Sequence, residues 1–318
     1  MTAISKVIGQ RVALGALTLW IVSLIIFAGI QFLPGDAATE ILGQSATPET
    51  VAAFRKSLGL DLPFYIRYVD WLWGVLHGNF GNALASGRDI SEAIRPRLVN
   101  TLILAASAAA ISVPLALCGG VVAALYRNTF IDRAINVITL TWISFPEFFV
   151  AYILILILAV HAGVLPSLSD VDPNTSIMGR VETIALPALT LSFVVIAHMM
   201  RMTRTSIVTL LGNQYIETAR LKGLPEWRIL VSHALPNALA PIANVVVLNL
   251  AYLITGVVVV EVVFVYPGLG QLIVDSVQKR DIPVVQACSL IFAATYVMLN
   301  LTADVLSIVV NPRLMHPK

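Results

Sequence analysis

Read from its amino end, the chain alternates apolar runs of membrane-spanning length with shorter polar stretches. A spanning helix needs about 20 mostly apolar residues at about 1.5 Å rise. Six runs qualify: Val12 to Leu33, Val99 to Leu125, Ala134 to Val160, Thr183 to Met200, Ala238 to Val265 and Pro283 to Val310. Glu147 interrupts the third run, Glu261 the fifth and Asp304 the sixth. The pattern predicts an all-α integral membrane protein with six transmembrane helices. The first run follows Lys6 and Arg11, as a secretory signal would. It is longer than the usual apolar stretch of about 7 to 15 residues and no clear AxA site follows, so it is read as a retained anchor helix.

Two polar stretches are too long or too ordered to be plain connections. Pro34 to Arg97 carries helix signals of its own and is read as a small helical cap between spans one and two. Thr47-Pro48 reads as an N-cap followed by a first-turn proline, with Gly59 as the stop. Pro63 then opens FYIRYVDWLWGVLHG, whose Tyr65, Tyr68, Trp71, Leu72 and Trp73 form a surface suited to a membrane interface or to a soluble partner. The second stretch, 204–237 between spans four and five, is charged and amphipathic. The chain thus divides into residues 1–33 (amino terminus and first span), 34–97 (cap) and 98–318 (membrane core). Loops at 162–182 and 266–282 take Pro and Gly as turn formers.

Composition agrees with the pattern. Hydrophobic residues make up 58% and charged residues 12% of the 318, against roughly 25% charged in soluble domains, and mean hydropathy is +0.87. The net charge of +2 matters less than where the basic residues fall. Lys6, Arg11, Arg127, Arg133, Arg201, Arg204, Arg220, Lys222, Arg228, Arg313 and Lys318 group on one side with only Asp132, Glu217 and Glu226, which places both termini and the 204–237 segment in the cytoplasm. Cys118 and Cys288 sit in apolar runs and read as small buried hydrophobes with no disulfide or metal role.

Several chemistries find no support. No lysine follows a glycine, so no GxxxxGK[ST] phosphate loop exists and this chain does not hydrolyse ATP by that device. His77, His161, His198, His233 and His316 show no HExxH or close pairing with cysteine, and GxSxG is absent. The reading is a non-enzyme without a cofactor or metal of its own. The charges inside spans are costly and so point to partners or a wet path. Glu147 follows Ser144-Phe145-Pro146, where the proline should kink span three. Its carboxylate then either lines a path for a substrate ammonium or makes an interhelical hydrogen bond. Glu261 lies near the outer end of span five, where water should reach it, as a gate or a cap. Asp304 reads as a structural partner for a basic residue of the inner loops.

The stretch QYIETARLKGLPEWRILVSHALPNA, residues 214–238, has specific spacing. Glu217 and Ala219 are followed by Gly223 six residues after the glutamate, and Leu235-Pro236 begins twelve residues after that glycine. Ala219 permits close helix approach, Gly223 a turn, and Pro225 a helix start. This resembles the EAA loop of ABC importer permeases, with Thr218 in place of the middle alanine. The resemblance covers nearly the whole chain through FLPGD at 32–36, LGLDLPFYIRY with WL at 58–72, TLILA at 101–105, LPALTL at 186–191, RMTRTS at 201–206, HALPNALAP at 233–241, EVVFVYPGLG at 261–270, RDIPVVQA at 280–287 and NPR at 311–313. As a set these are similar to the B-type permease subunit of dipeptide, oligopeptide and nickel importers.

That resemblance implies a pore shared with a second, homologous C-type permease, two cytoplasmic ABC ATPases that bind ATP and Mg, and a periplasmic or lipid-anchored substrate-binding protein. It implies a multi-pass protein of the bacterial inner membrane and no nucleic-acid partner. Glu217, Thr218, Ala219, Arg220, Gly223, Leu224, Arg228, His233, Leu235 and Pro236 would form the coupling site, whose helix enters a cleft on an ATPase; Glu217, Arg220, Lys222 and Arg228 would supply polar contacts there. ATP binding would open the pore outward and hydrolysis would reset it. Pro146, Glu147 and Glu261 are the candidates for the substrate pathway, and Tyr65, Tyr68 and Trp71 for binding-protein docking. The chain departs from the family pattern at GNFGN (78–82), at HAGVLP (161–166), at Gln214, which replaces an acid, and at Glu147, which is not the residue expected after SxP. Peptides lead as the solute, with nickel chelates, opines and related solutes open. An ion-coupled carrier working alone would use Glu147 and Glu261 but leave the 214–238 segment without a purpose, and a receptor without transport would use only the cap.

Overall fold

The computed structural model describes residues 2–31, 47–57, 61–170 and 176–310. The FLPGD string, the Gly59 stop, the NPR string, Arg313, His316 and Lys318 lie outside them. In chain order the helices are α1 (Thr2–Gln31), α2 (Pro48–Ser57), α3 (Phe64–Leu76), α4 (Ile90–Leu125), α5 (Phe130–Ser144), α6 (Glu147–Leu154, continued by a wide π turn Ile155–His161), α7 (Ile177–Leu211), α8 (Gln214–Leu221), α9 (Glu226–Ile229, continued by a π turn Leu230–Ala234), α10 (Leu235–Phe264), α11 (Leu269–Gln278) and α12 (Ile282–Val310). Among the described residues five stretches are long and apolar enough to cross a membrane, Lys6–Gly29, Ile90–Leu125, Ile177–Leu211, Glu226–Phe264 and Ile282–Leu306; the bent pair Phe130–Ser144 and Glu147–His161 makes a sixth if counted as one. The fold is that of a helical integral membrane protein.

Local chemistry places the boundaries. The Thr47 hydroxyl accepts the Thr50 amide at 3.2 Å, capping the helix that Pro48 begins. The third span is not a kinked continuous helix as its sequence suggests. It breaks at Phe145-Pro146 and turns through 103°. Phe145 (φ −89°, ψ 133°) and Pro146 (φ −61°, ψ 146°) are both extended, because the proline ring drives the residue before it out of the helical region and itself offers no amide.

The described residues form two compact units, those within 1–15, 102–266 and 295–318 in one and those within 16–101 and 267–294 in the other. In the first, α7 and α10 are the central pair, and the α7 stripe Leu186, Leu191, Val195, Met199, Thr203, Ile207 is buried at i+4/i+5 steps. The second half of α4 approaches α7 closely: a Cβ on Gly119 would lie 2.2 Å from the Met200 methyl, and one on Gly120 2.7 Å from the Thr203 Cβ. Close contact of backbones through small residues is how helices pack where water provides no drive. Arg11 and Asp304 pair at 3.0 Å, so Asp304 has the basic partner expected of it, on α1 rather than in an inner loop.

The second unit centres on Ala83, Ile90, Ile94, Leu269, Val284, Ala287 and Cys288. Asp281, 4% exposed, accepts the Leu84 and Ala85 amides at 3.0 and 2.9 Å and so fixes the turn before α4. The Thr101 hydroxyl accepts the Leu269 amide and the Asn100 side chain donates to the Pro267 carbonyl, which holds the loop of the YPGLG string. Cys288 is buried as expected; Cys118 is not, and its side chain lies on the outer face of α4.

Candidate functional site

The 214–238 segment is a built platform. Ile216 and Ala219 on α8, and Ile229, Leu230 and Ala234 at the start of the fifth span, bury against Ala124, Ile207, Leu211, Ala238 and Ile242. The turn between them is a complete Schellman motif. The Leu224 amide reaches back to the Ala219 carbonyl (3.3 Å) and the Gly223 amide to the Arg220 carbonyl (2.9 Å), with Gly223 left-handed at φ +77°. Leu224 folds onto the same cluster as Ala219, the apolar contact that accompanies this motif. Pro225 caps the next helix, and a π turn follows in which the Leu235 amide bonds the Leu230 carbonyl. The wide turn precedes Pro236, which has no amide to continue the regular ladder. The expected second helix of a separate pair is therefore the first two turns of span five itself, so that a push on the platform is a push on α10.

The sequence-predicted coupling residues divide by exposure. Ala219 is buried; Leu224, His233 and Leu235 are half-buried; Glu217, Thr218, Gly223, Arg228 and Pro236 are exposed. Beside Gly223 nothing stands within 4 Å of where a Cβ would project. On the same segment Leu221, Trp227, Val231 and Tyr215 are exposed apolar residues, at 84%, 60%, 53% and 43%. Arg220 does not offer a free charge to a partner. Its guanidinium closes on Glu226 in two bonds, 2.6 and 3.1 Å, which holds it above the ordinary arginine range and braces the turn. The Thr218 hydroxyl is spent on the Gln214 carbonyl at 3.1 Å.

Above the platform, Arg204 near the end of α7 donates Nε and Nη2 to Asp132 at 2.6 and 2.7 Å. Asp132 is 3% exposed and also accepts the Asn128 amide and the Asn136 side chain. At the far end of α5, Trp142 stacks on Phe193 with centroids 4.3 Å apart. The first half of the broken span is thus clamped to α7 at both ends. The sequence counted Asp132 and Arg204 only as charges; the i, i+4 spacing of Asp132 and Asn136 was the available signal.

At the break, Glu147 is half-buried and accepts a hydrogen bond from the Tyr252 hydroxyl at 3.1 Å. Its carboxylate lies on the bare face of Gly256, where a Cβ would be 3.0 Å from Oε1. Pro146 is exposed beside it. Glu261 is not with them in reach of water: it is fully buried. Its backbone carbonyl accepts the Tyr266 amide at 2.9 Å, as part of the left-handed stop at Val265. Burial, with a smaller contribution from the Glu261 charge, pushes the Tyr266 hydroxyl above the ordinary tyrosine range. The contact with water expected of the Glu261 side chain is therefore not made, since the side chain is withdrawn from solvent.

The aromatic cap surface also divides. Tyr68 is 8% exposed; its hydroxyl shares a 2.7 Å hydrogen bond with Ser23 and its ring meets Phe27 at 5.4 Å, with Trp71 at 5.5 Å from the same phenylalanine. Tyr65, Val69, Trp73 and Leu76 face outward, at 67%, 59%, 66% and 72%. Of the three residues expected to dock a partner, only Tyr65 lies on this outer stripe; spacing of three and four residues puts Phe64, Tyr68 and Trp71 on the inner one.

The chain matches two family models, the binding-protein-dependent transport system inner membrane component over residues 116–316 and the N-terminal part of such membrane components over residues 4–100. It is similar to a putative peptide transport system permease protein of Brucella abortus (strain 2308), 36% identical over 304 residues, 96% of this chain and 97% of the relative. It is also similar to the glutathione transport system permease protein GsiC of Salmonella choleraesuis, 38% identical over 295 residues, and to GsiC of Escherichia coli (strain K12), 37% identical over 295 residues, each with 93% of this chain and 94% of the relative covered. Helices of spanning length, a folded polar platform between the fourth and fifth spans, and these matches over both parts of the chain agree: the protein belongs to the family of inner-membrane components of binding-protein-dependent transport systems, as a permease subunit of the ABC importer type.

Proposed function

We propose that this chain forms half of the translocation pathway for peptides in an ATP-driven importer of the bacterial inner membrane, paired with a second, C-type permease and seated on two cytoplasmic ATPases. Both termini then lie in the cytoplasm, and a binding protein, periplasmic or lipid-anchored, delivers the solute on the other side. ATP and Mg are held by the ATPases, and no cofactor belongs to this chain. The relatives named for peptide and glutathione transport support the solute class.

The platform around Gly223 carries the reading. Its polar residues keep it out of the bilayer, its apolar underside ties it to α4, α7 and α10, and its exposed apolar residues and the open position at Gly223 are the seat an ATPase would take. An ATPase surface entering that seat moves α7 and α10 as a nearly rigid pair, since the platform is continuous with both. Glu217, Lys222, Arg228 and His233 rim the seat, and the apolar fit dominates its affinity. Outside, the stripe of Tyr65, Val69, Trp73 and Leu76 anchors the cap at the lipid interface and offers Tyr65 to the binding protein.

The test is Gly223→Asn. Asparagine tolerates the left-handed conformation and its Cβ would meet nothing within 4 Å, so the variant should fold and insert, which its yield in the membrane fraction checks. It should weaken association with the ATPases about tenfold or more and uncouple peptide uptake from ATP hydrolysis in the reconstituted complex. Wild-type coupling in this variant would sink the proposed joint.

A further inference from the structure

An acid at membrane depth that is neither buried nor ion-paired calls for a ligand. Glu147 stands at the elbow of the broken third span with a single hydrogen bond, from Tyr252, among the described residues. A carboxylate has room for about four. The surface on which it opens carries polar groups among apolar ones. Tyr252 is 43% exposed, and Leu248, Thr255 and Val259 share its exposed face of α10 at i, i+4, i+7 and i+11 spacing. His198 of α7 is exposed too, its ring 6.3 Å from that of Tyr252. Gly256 leaves the space in which the carboxylate rests. The Glu147 carboxylate and the His198 ring within this face favour water, protein or solute beside them over lipid.

We infer that Glu147 and Tyr252 form a selectivity point on the translocation face, at which the carboxylate takes an ammonium group of the passing solute and the tyrosine hydroxyl serves as the placeholder donor that the ammonium displaces. This rests on the permease reading above and adds a chemical preference to it. The hydroxyl is a neutral donor, and an ammonium forms the stronger, charge-assisted bond to the same oxygen. When the solute leaves, the hydroxyl returns and the carboxylate is not left bare in a low-dielectric wall. Arg201, exposed one turn beyond His198 on α7, gives the face its opposite sign, so the chain does not simply attract cations; it suits a solute that carries both charges.

The experiment uses the full complex, permeases, ATPases and binding protein, in liposomes. Uptake of a lysine-containing peptide with a free amino terminus is compared with that of an acetylated, norleucine-containing peptide of the same length, each at a concentration that saturates the binding protein. Glu147→Gln should cut the ratio of cationic to neutral uptake about tenfold while neutral uptake stays near wild type, and Glu147→Asp should restore part of the ratio. Tyr252→Phe should leave the ratio unchanged or raise it, since it removes only the competitor. An unchanged ratio in Glu147→Gln, or a parallel fall for both peptides with a lower unfolding temperature, would overturn the inference and assign Glu147 a structural role. Wild-type complex that takes up neither peptide with ATP would instead overturn the peptide-importer reading, and the inference with it.

Discussion

Asp132, in the first turn of α5, and Glu147, just past its last, are the two carboxylates that flank the first half of the broken span. Asp132 accepts four hydrogen bonds, two of them from one guanidinium, and is withdrawn from solvent. Glu147 accepts one, from a neutral hydroxyl, and stays half open. The same functional group therefore does opposite work at the two ends of one helix. A saturated, buried carboxylate has no capacity left for a ligand and fixes its neighbours. An unsaturated one at an elbow has capacity to spare and is held by less.

The largest effect that separates them is on stability. Asp132→Ala strands the Arg204 guanidinium and frees the Asn128 amide, and should cost about 3 to 5 kcal/mol, read as a fall in the thermal unfolding midpoint in detergent and in the yield of inserted protein. Replacing both partners, as in Asp132→Leu with Arg204→Met, should recover much of the loss. A cost below about 1 kcal/mol for Asp132→Ala would place this pair with ordinary surface ion pairs and erase the contrast with Glu147.

That contrast was only half legible beforehand. Glu147 stood out in sequence because a charge in an apolar run is conspicuous, and Pro146 announced the bend; the right angle did not show, since how far a proline deflects a helix depends on what packs against each half. Asp132 looked like a solvated loop charge because it precedes the run, and nothing local revealed that Arg204, 72 residues on, would close over it. Tyr252 and Gly256 were invisible for the same reason. The platform was the most legible part: Gly223, Pro225 and the apolar positions at 216, 219, 229 and 230 are local rules that agree with one another. The cap aromatics misled because composition was read without helical phase, and phase sends Tyr68 and Trp71 inward.

A smaller effect sharpens the elbow. Alanine at Gly256 would place its Cβ 3.0 Å from one oxygen of Glu147 and 3.3 Å from the other, so the carboxylate must move. Gly256→Ala should cost about 1 kcal/mol through crowding despite the gain in helix propensity. In a Glu147→Ala background the crowding by the carboxylate is gone and only a Leu191 methyl, 3.3 Å from the new Cβ, has to give, so the same change should be about neutral or stabilise by a few tenths of a kcal/mol. A double-mutant cycle of unfolding midpoints reads the difference as an interaction energy. Additive effects would mean that the carboxylate is mobile enough to leave Gly256 at no cost, which would undo the described geometry of the elbow.

The smallest expected effect comes from the pair whose geometry most resembles Asp132 with Arg204. Arg220 and Glu226 also meet at 2.6 Å with a second bond, yet their side chains are 31% and 59% exposed, against 23% for Arg204 and 4% for Asp132. With water available to either group when the other is removed, Arg220→Ala should cost only about 0.5 to 1 kcal/mol. Because the guanidinium is already committed inside the chain, ATPase stimulation in the reconstituted complex should change less than in Gly223→Asn. A loss as large as that of Gly223→Asn would mean that the pair opens on docking and that Arg220 transfers its bonds to the ATPase. Burial, rather than contact distance, would then no longer be what separates a charge that braces the fold from one free to meet a partner.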